Sequence, residues 1–203
     1  MTPRRGMLLG LAGLVAGCAM VDDEVEPIAG ARGRVVLLRG LANIFSTGMD
    51  ELEAKLRAAG YEATVHNHLD WRDPAQETIQ RARAGDLPRP FVVVGHSLGA
   101  DDGIRLAAHV GQAARLADVL VTFDPVLIGT VPPGPSMVRN YYQTSGVWGR
   151  GLDPAPGFAG VLENRAVRSD NHFTIDKDPG LHQEVIALLD RQAARRRAPV
   201  VTG

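Results

Sequence analysis

Cysteine is nearly absent: Cys18 is the single one in 203 residues, which excludes an intrachain disulfide and a cysteine-based metal site. Aromatic residues make up only 5% of the chain, leaving little from which to build a stacking platform for bases or sugars. Neither sign of charge dominates. With 22 Lys and Arg against 23 Asp and Glu, the formal net charge is −1. No basic stripe with interleaved aromatics appears, so the sequence makes no electrostatic case for nucleic acid. The six histidines have no H-E-x-x-H or comparable ligand spacing, and no metal or other cofactor is expected. What remains is an ordinary globular composition. Apolar residues reach 45%, too many for a disordered chain, and the length suffices for one domain with a real core.

No apolar run is long enough to span a bilayer. The longest candidate, Met7 to Val15, is short and broken by glycines. It follows the positive pair Arg4 and Arg5 and ends in Val15-Ala16-Gly17-Cys18, a lipobox-like order. This stretch resembles the signal of bacterial lipoproteins, in which cleavage precedes a cysteine that is then lipidated. The resemblance implies a signal peptide over residues 1–17, lipidation at Cys18 and a membrane surface as partner. Ala19 stands where an aspartate would direct retention at the inner membrane, so the implied location is the cell envelope, on the outer membrane facing the periplasm. An ordinary secretory signal is the plainer alternative. Residues 18–33 carry Asp22, Asp23, Glu24, Glu26, Pro27, Gly30 and Gly33 and read as a solvated tether.

From Arg34 the pattern alternates between strand and helix. Val35–Leu38 is a short β-rich run ending at Gly40. Thr47 to Asp50 has capping-box spacing before a helix whose apolar face is Met49, Leu52 and Leu56, closed by Gly60. Ala63–Asn67 reads as a strand. Ala75–Ala84 reads as a helix with Asp73 as cap and Pro74 at its first position. Phe91–Val94 is apolar throughout, as a strand buried on both faces should be. A helix over about Ala100–Val110, strands over Val119–Phe123 and Val138–Gln143, a short last strand at Ala166–Arg168 and a helix from Leu181 to about Arg196 complete the series. The stretches 128–136 and 146–160 are rich in Gly and Pro and read as loops. Such an alternation predicts one three-layer α/β/α sandwich over residues 34–197, with a mostly parallel sheet and a tail over 198–203. Ligands bind at the carboxyl ends of strands in sheets of this kind.

The strand Phe91–Val94 runs into Gly95-His96-Ser97-Leu98-Gly99, and a helix follows at once. Strand, G-x-S-x-G and helix together form the context of a nucleophile elbow, in which a serine hydroxyl is lifted to a helix N-terminus. Side chains at either glycine would collide with a neighbouring strand or helix. On this motif, the element order, and an acid and a histidine following in the order Ser, Asp, His, the chain resembles the α/β-hydrolase family, particularly its small lipases, esterases and thioesterases. The resemblance covers about 34–191. It implies Ser97 as nucleophile, Asp124 as triad acid after the strand Val119–Phe123, and His172 as base after the last strand. It also implies a compact fold without a large lid domain.

Alternatives exist for most of these roles. Asp153 is the second candidate acid, because many family members place the acid one strand later; Asp170 is too close to His172 in sequence. His96 sits at the variable position of the motif and should point away from Ser97. His109 and His182 read as packing or surface histidines. His66 and His68 end a strand on the active-site side and could line a pocket with Trp71. Oxyanion donors should be backbone N–H groups: Leu98 after the nucleophile, and Leu41 in Arg39-Gly40-Leu41, where the family often has His-Gly, with Ala42 as the near alternative.

The implied chemistry is hydrolysis of a small-molecule carboxylic ester or acyl thioester through an acyl-enzyme intermediate. An acyltransferase or amidase on the same fold, and a non-catalytic envelope binding lipoprotein, are the rival readings. Arg191, Arg195, Arg196 and Arg197 read as a solvated helix end whose charges suit the helix dipole. The sequence gives no oligomeric state.

Overall fold

The computed structural model describes residues 28–41, 46–144, 148–168 and 171–197. The implied signal peptide, Cys18, most of the tether, Ala42, Asp170 and the tail over 198–203 lie outside the described residues.

Six strands form one sheet: β1 (Arg34–Arg39), β2 (Glu62–Asn67), β3 (Phe91–His96), β4 (Val119–Phe123), β6 (Met137–Gln143) and β8 (Val161–Val167), in the order β2-β1-β3-β4-β6-β8. Every pairing is parallel. Four helices cover it: α1 (Gly48–Ala58), α2 (Arg72–Ala84), α3 (Leu98–Ala114) and α4 (Pro179–Arg197). The order reverses between β1 and β3, so a crevice opens at the carboxyl ends of these two strands. Within the stretches read as loops, β5 (Thr130–Val131) and β7 (Asp153–Pro154) pair as a separate two-stranded ribbon.

The pleat explains how the central strands came to be continuously apolar. Val35, Leu37, Val92, Val94, Val119, Val121 and Phe123 point to one face and pack with Met49, Leu52 and Leu56 of α1 and Val185, Leu188 and Leu189 of α4. Their alternates Val36, Leu38, Phe91, Val93 and Leu120 pack with Ala75 and Ile79 of α2 and Ile104, Leu106, Ala107 and Val110 of α3. Two cores, one per face, make the three layers.

Several boundaries differ from the sequence-based expectation. The second helix begins at Arg72, with Trp71 at its cap position; Asp73 and Pro74 therefore lie inside the first turn, where Pro lacks only an N–H that has no helical acceptor. The last strand begins at Val161, five residues before the expected start, because register with β6 extends from Met137↔Val161 to Gln143↔Val167. Its side chains are half-buried or exposed, so hydrophobicity does not mark this edge strand. The capping box at Thr47 does not form. Thr47 makes no side-chain cap bond, and Asp50 instead pairs with Arg39. The α1 N-terminus is capped by Asp176, whose Oδ2 accepts the Gly48 N–H at 3.0 Å.

Candidate active site

The elbow is built from steric necessity. Ser97 adopts φ 59°, ψ −126°, a strained conformation for a residue with a side chain. Its N–H donates to the Phe123 carbonyl at 2.9 Å, locking the turn to β4. A Cβ at Gly95 would overlap the backbone of Gly99, and one at Gly99 would overlap the Leu38 carbonyl of β1. Gly95 thus lets helix meet strand, and Gly99 lets α3 start directly against β1. The Leu98 N–H is the first of α3 and has no acceptor within its own helix. It is available to a developing negative charge beside Ser97.

Three of the expected residues converge. His172 Nε2 lies 2.9 Å from Ser97 Oγ, and His172 Nδ1 lies 3.3 Å from Asp124 Oδ2. Asp124 is fully buried at the end of β4, with φ 48°. Its N–H donates to the Tyr141 carbonyl, and its Oδ1 accepts the Gln143 N–H at 2.8 Å. The carboxylate therefore points one oxygen at β6 and the other at the imidazole. Gly149 closes over it: at φ 81° a Cβ there would overlap the Asp124 carboxylate. Trp148 stacks on the His172 ring at 5.4 Å and Phe173 meets its edge at 5.5 Å. Asp153, the alternative acid, is exposed in the β5–β7 ribbon and is not brought to His172.

The loop after β1 runs against Ser97. A Cβ at Gly40 would come within 2.9 Å of Ser97 Cβ, so glycine is required for the backbone to pass there. Arg39 turns away to form a two-bond pair with Asp50 of α1, which explains how arginine is accommodated before Gly40. Leu41 follows next, its side chain exposed.

The other histidines separate by environment. His66 Nε2 bonds Thr64 Oγ1 at 2.8 Å, and burial lowers its pKa. His109 meets Trp71 edge-on. His182 contacts Lys55 and donates to the Asp176 carbonyl, with burial again lowering its pKa. His68 Nδ1 pairs with Asp102 Oδ2 at 2.7 Å, and Asp102 also holds Arg105. This cluster, with Leu69, Trp71, Arg72, Leu98, Asp101 and Leu127, lines a cavity of about 340 Å³ directly beside the elbow. A larger cavity of about 690 Å³ lies at the amino edge of the sheet, around Ile28, Glu62 and Arg81; no serine, threonine, cysteine or histidine lines it, and it lies away from the elbow. Asp102 and Asp101 escaped sequence reasoning. Asp101 accepts the N–H groups of Val126, Leu127 and Ile128 and fixes the loop after β4. Its pKa is raised because burial outweighs those bonds. Nothing in the sequence distinguishes it from an ordinary first-turn helix acid.

Among the described residues, most of the exposed large apolar side chains gather at one edge; Val161, at the amino end of β8, is the exception. Leu41, Leu69, Leu127, Trp148 and Phe173 are exposed, and each follows the carboxyl end of a sheet strand. They rim the mouth above Ser97. Among the described residues, no helix is long and apolar enough to cross a membrane.

No protein-family model matches the chain, and no curated protein matches it in sequence. Solved structures do. A thermophilic esterase from the planctomycete Thermogutta terrifontis aligns over 88% of this chain and 86% of its own, at 13% identity and a TM-score of 0.59. The RedJ thioesterase of the prodiginine biosynthetic pathway of Streptomyces coelicolor aligns over 82% and 87%, at 13% identity and a TM-score of 0.52. A third match, from Agrobacterium tumefaciens, is described as a protein of unknown function and putative α/β hydrolase; it covers 86% and 92% at 15% identity and a TM-score of 0.51. The fold is that of the α/β-hydrolases. At such identities the likeness carries the scaffold, and the chemistry must be argued from the site.

Proposed function

We propose that this protein is a serine hydrolase that cleaves carboxylic esters or acyl thioesters through Ser97, His172 and Asp124. The observation that carries the reading is the hydrogen-bonded chain from Ser97 Oγ to His172 Nε2 and from His172 Nδ1 to Asp124 Oδ2, set on a strained elbow at a helix N-terminus. A serine hydroxyl is a weak nucleophile at neutral pH. Here a neutral imidazole is placed to take its proton during attack and return it to the leaving group. The buried Asp124 holds the Nδ1–H tautomer and stabilises the imidazolium that forms. Backbone N–H groups of Leu98 and Leu41 receive the oxyanion. Water then enters by the same base and releases the acid from the acyl-enzyme.

The apolar rim supports an acyl or alkyl portion of moderate hydrophobicity. The test is hydrolysis of short- and long-chain p-nitrophenyl esters by residues 19–203, beside the Ser97→Ala variant. Turnover that the variant loses by roughly 1,000-fold or more supports the reading; turnover unchanged by the variant removes it.

We further propose that Cys18 is lipidated and that the protein faces the periplasm on the outer membrane, a reading that rests on Val15-Ala16-Gly17-Cys18. Fractionation of cells expressing Cys18→Ser should release the protein from membranes. Unchanged association would remove the anchor.

A further inference from the structure

The middle residue of the elbow motif does more than fill a turn. His96 is buried and its ring lies 5.1 Å from that of His172. Its Nε2 is 2.7 Å from the His172 carbonyl oxygen. A carbonyl carries no proton, so Nε2 must be the donor. Burial drives the His96 pKa down to about 3, and the ring is therefore neutral at working pH, with Nδ1 bare. Nδ1 lies 2.8 Å from Ser46 Oγ, so the serine hydroxyl must donate to it. Ser46 Oγ in turn accepts the Gly40 N–H at 2.9 Å. Every proton in this chain is assigned by elimination: Gly40 N–H to Ser46 Oγ, Ser46 O–H to His96 Nδ1, His96 Nε2–H to the His172 carbonyl.

Each end of the chain is a part of the site that must be held. Gly40 precedes Leu41 and packs on Ser97. His172 lies in a short turn between β8 and the 3-10 segment Ile175–Lys177, with no regular element of its own to fix it. The span links residues 40, 46, 96 and 172, which are far apart in sequence. Asp176 Oδ2 stands 3.8 Å from His96 Nδ1 and accepts the Gly48 N–H, so the ring is also hemmed by the closing segment. Because the ring is neutral, it places no positive charge beside the imidazolium that His172 becomes during attack.

We propose that His96 is a positioning residue that, as a neutral Nε2–H tautomer, couples the loop of the oxyanion donor to the loop of the base through Ser46. The proposal rests on the hydrolase reading and extends it. Asparagine and glutamine dissect the two arms. Asn at 96 can offer an acceptor near Nδ1 but cannot reach the His172 carbonyl; Gln can donate there but leaves Ser46 without its acceptor. Ser46→Ala removes one hydroxyl and leaves the ring in place.

The full chain and the three variants would be followed by fluorophosphonate labelling of Ser97, by kcat and KM on a p-nitrophenyl ester, and by nitrogen-detected NMR of the His96 ring. The expected ring signal is that of a neutral Nε2–H imidazole throughout pH 5 to 9. His96→Asn should lower kcat and the labelling rate by about 10- to 100-fold with little change in KM. It should also shift the acid limb of the kcat profile, because it frees the loop that carries the base. Ser46→Ala and His96→Gln should lower kcat while leaving that limb in place, because only the oxyanion arm is lost. An Nδ1–H or charged His96 ring would overturn the proposal, as would His96→Asn and Ser46→Ala proteins that label at the parent rate. A purely structural role predicts loss of folded protein with parent kcat per labelled site, and that result also overturns it. If the parent itself does not label, the hydrolase reading has failed first and the proposal falls with it. Parent labelling with indifferent variants removes the proposal alone.

Discussion

At the scale of single residues, the buried ionisable groups around the site make opposite demands on pH. Burial raises the Asp176 carboxyl to about 6, above its unfolded value, so its contribution to stability is present at low pH and lost as pH rises from about 4 through 6. Burial lowers His96 to about 3, so its contribution is present above about 6.5 and lost as pH falls toward 3. Between pH 6 and 4 the two trends offset each other. Asp176→Asn retains an acceptor for Gly48 and removes the buried charge. It should be more stable than the parent at pH 8, on the order of 2 kcal/mol, and the advantage should vanish by pH 4. Urea unfolding at the two pH values checks this; an equal difference at both would contradict it. A second prediction concerns Gly149, whose backbone covers Asp124. Gly149→Ala should lower kcat by about tenfold or more by displacing Asp124, and should lower the melting temperature as well, because alanine is strained at φ 81° and its Cβ would overlap a buried carboxylate. The convergence of Ser97, His172 and Asp124 was legible in the sequence through the elbow motif and the family resemblance, whereas the choice of Asp124 over Asp153 was left open there. His96 was legible only as a side chain pointing elsewhere. Its partners Ser46 and the His172 carbonyl are separated from it by 50 and 76 positions, and no local pattern encodes such contacts.

At the scale of elements, caps and loop anchors come from distant chain. The capping box at Thr47 was a sound local signal that lost to tertiary competition: Arg39 takes Asp50, and Asp176 caps α1 from 128 residues away. The elbow helix α3 works similarly in reverse, using its first-turn Asp101 to hold three N–H groups of the loop at Val126–Ile128. Asp101→Ala leaves those donors without that acceptor. A loss of about 1–3 kcal/mol in unfolding free energy is expected. KM for long-chain esters should rise more than for short ones, since Leu127 sits on the rim. A KM equal to the parent's for both chain lengths would detach this loop from substrate binding. The last strand shows what periodicity cannot reveal: β8 is recognised by its pairing with β6, since its own side chains are mostly outside the core.

At the scale of the whole molecule, the two cores have different jobs. The α1–α4 side supports the closing segment that carries His172, and the α2–α3 side supports the elbow and the cavity beside it. Leu189 is fully buried in the first. Leu189→Ala should cost about 2–5 kcal/mol of stability and lower kcat measured well below the melting temperature, because Ile175 of the closing segment that carries His172 packs in the same core. An unchanged kcat would detach that segment from the α4 layer. The layered architecture was legible throughout, because continuous apolar strands alternating with amphipathic helices have few ways to bury both sheet faces.

The most direct test of the proposed chemistry is intact-mass detection of a fluorophosphonate adduct, mapped by peptide sequencing, on the parent and on His172→Ala. A serine activated by His172 predicts one adduct, on Ser97, forming roughly 1,000-fold more slowly in the variant. An adduct elsewhere, none at all, or equal labelling of both proteins would contradict it.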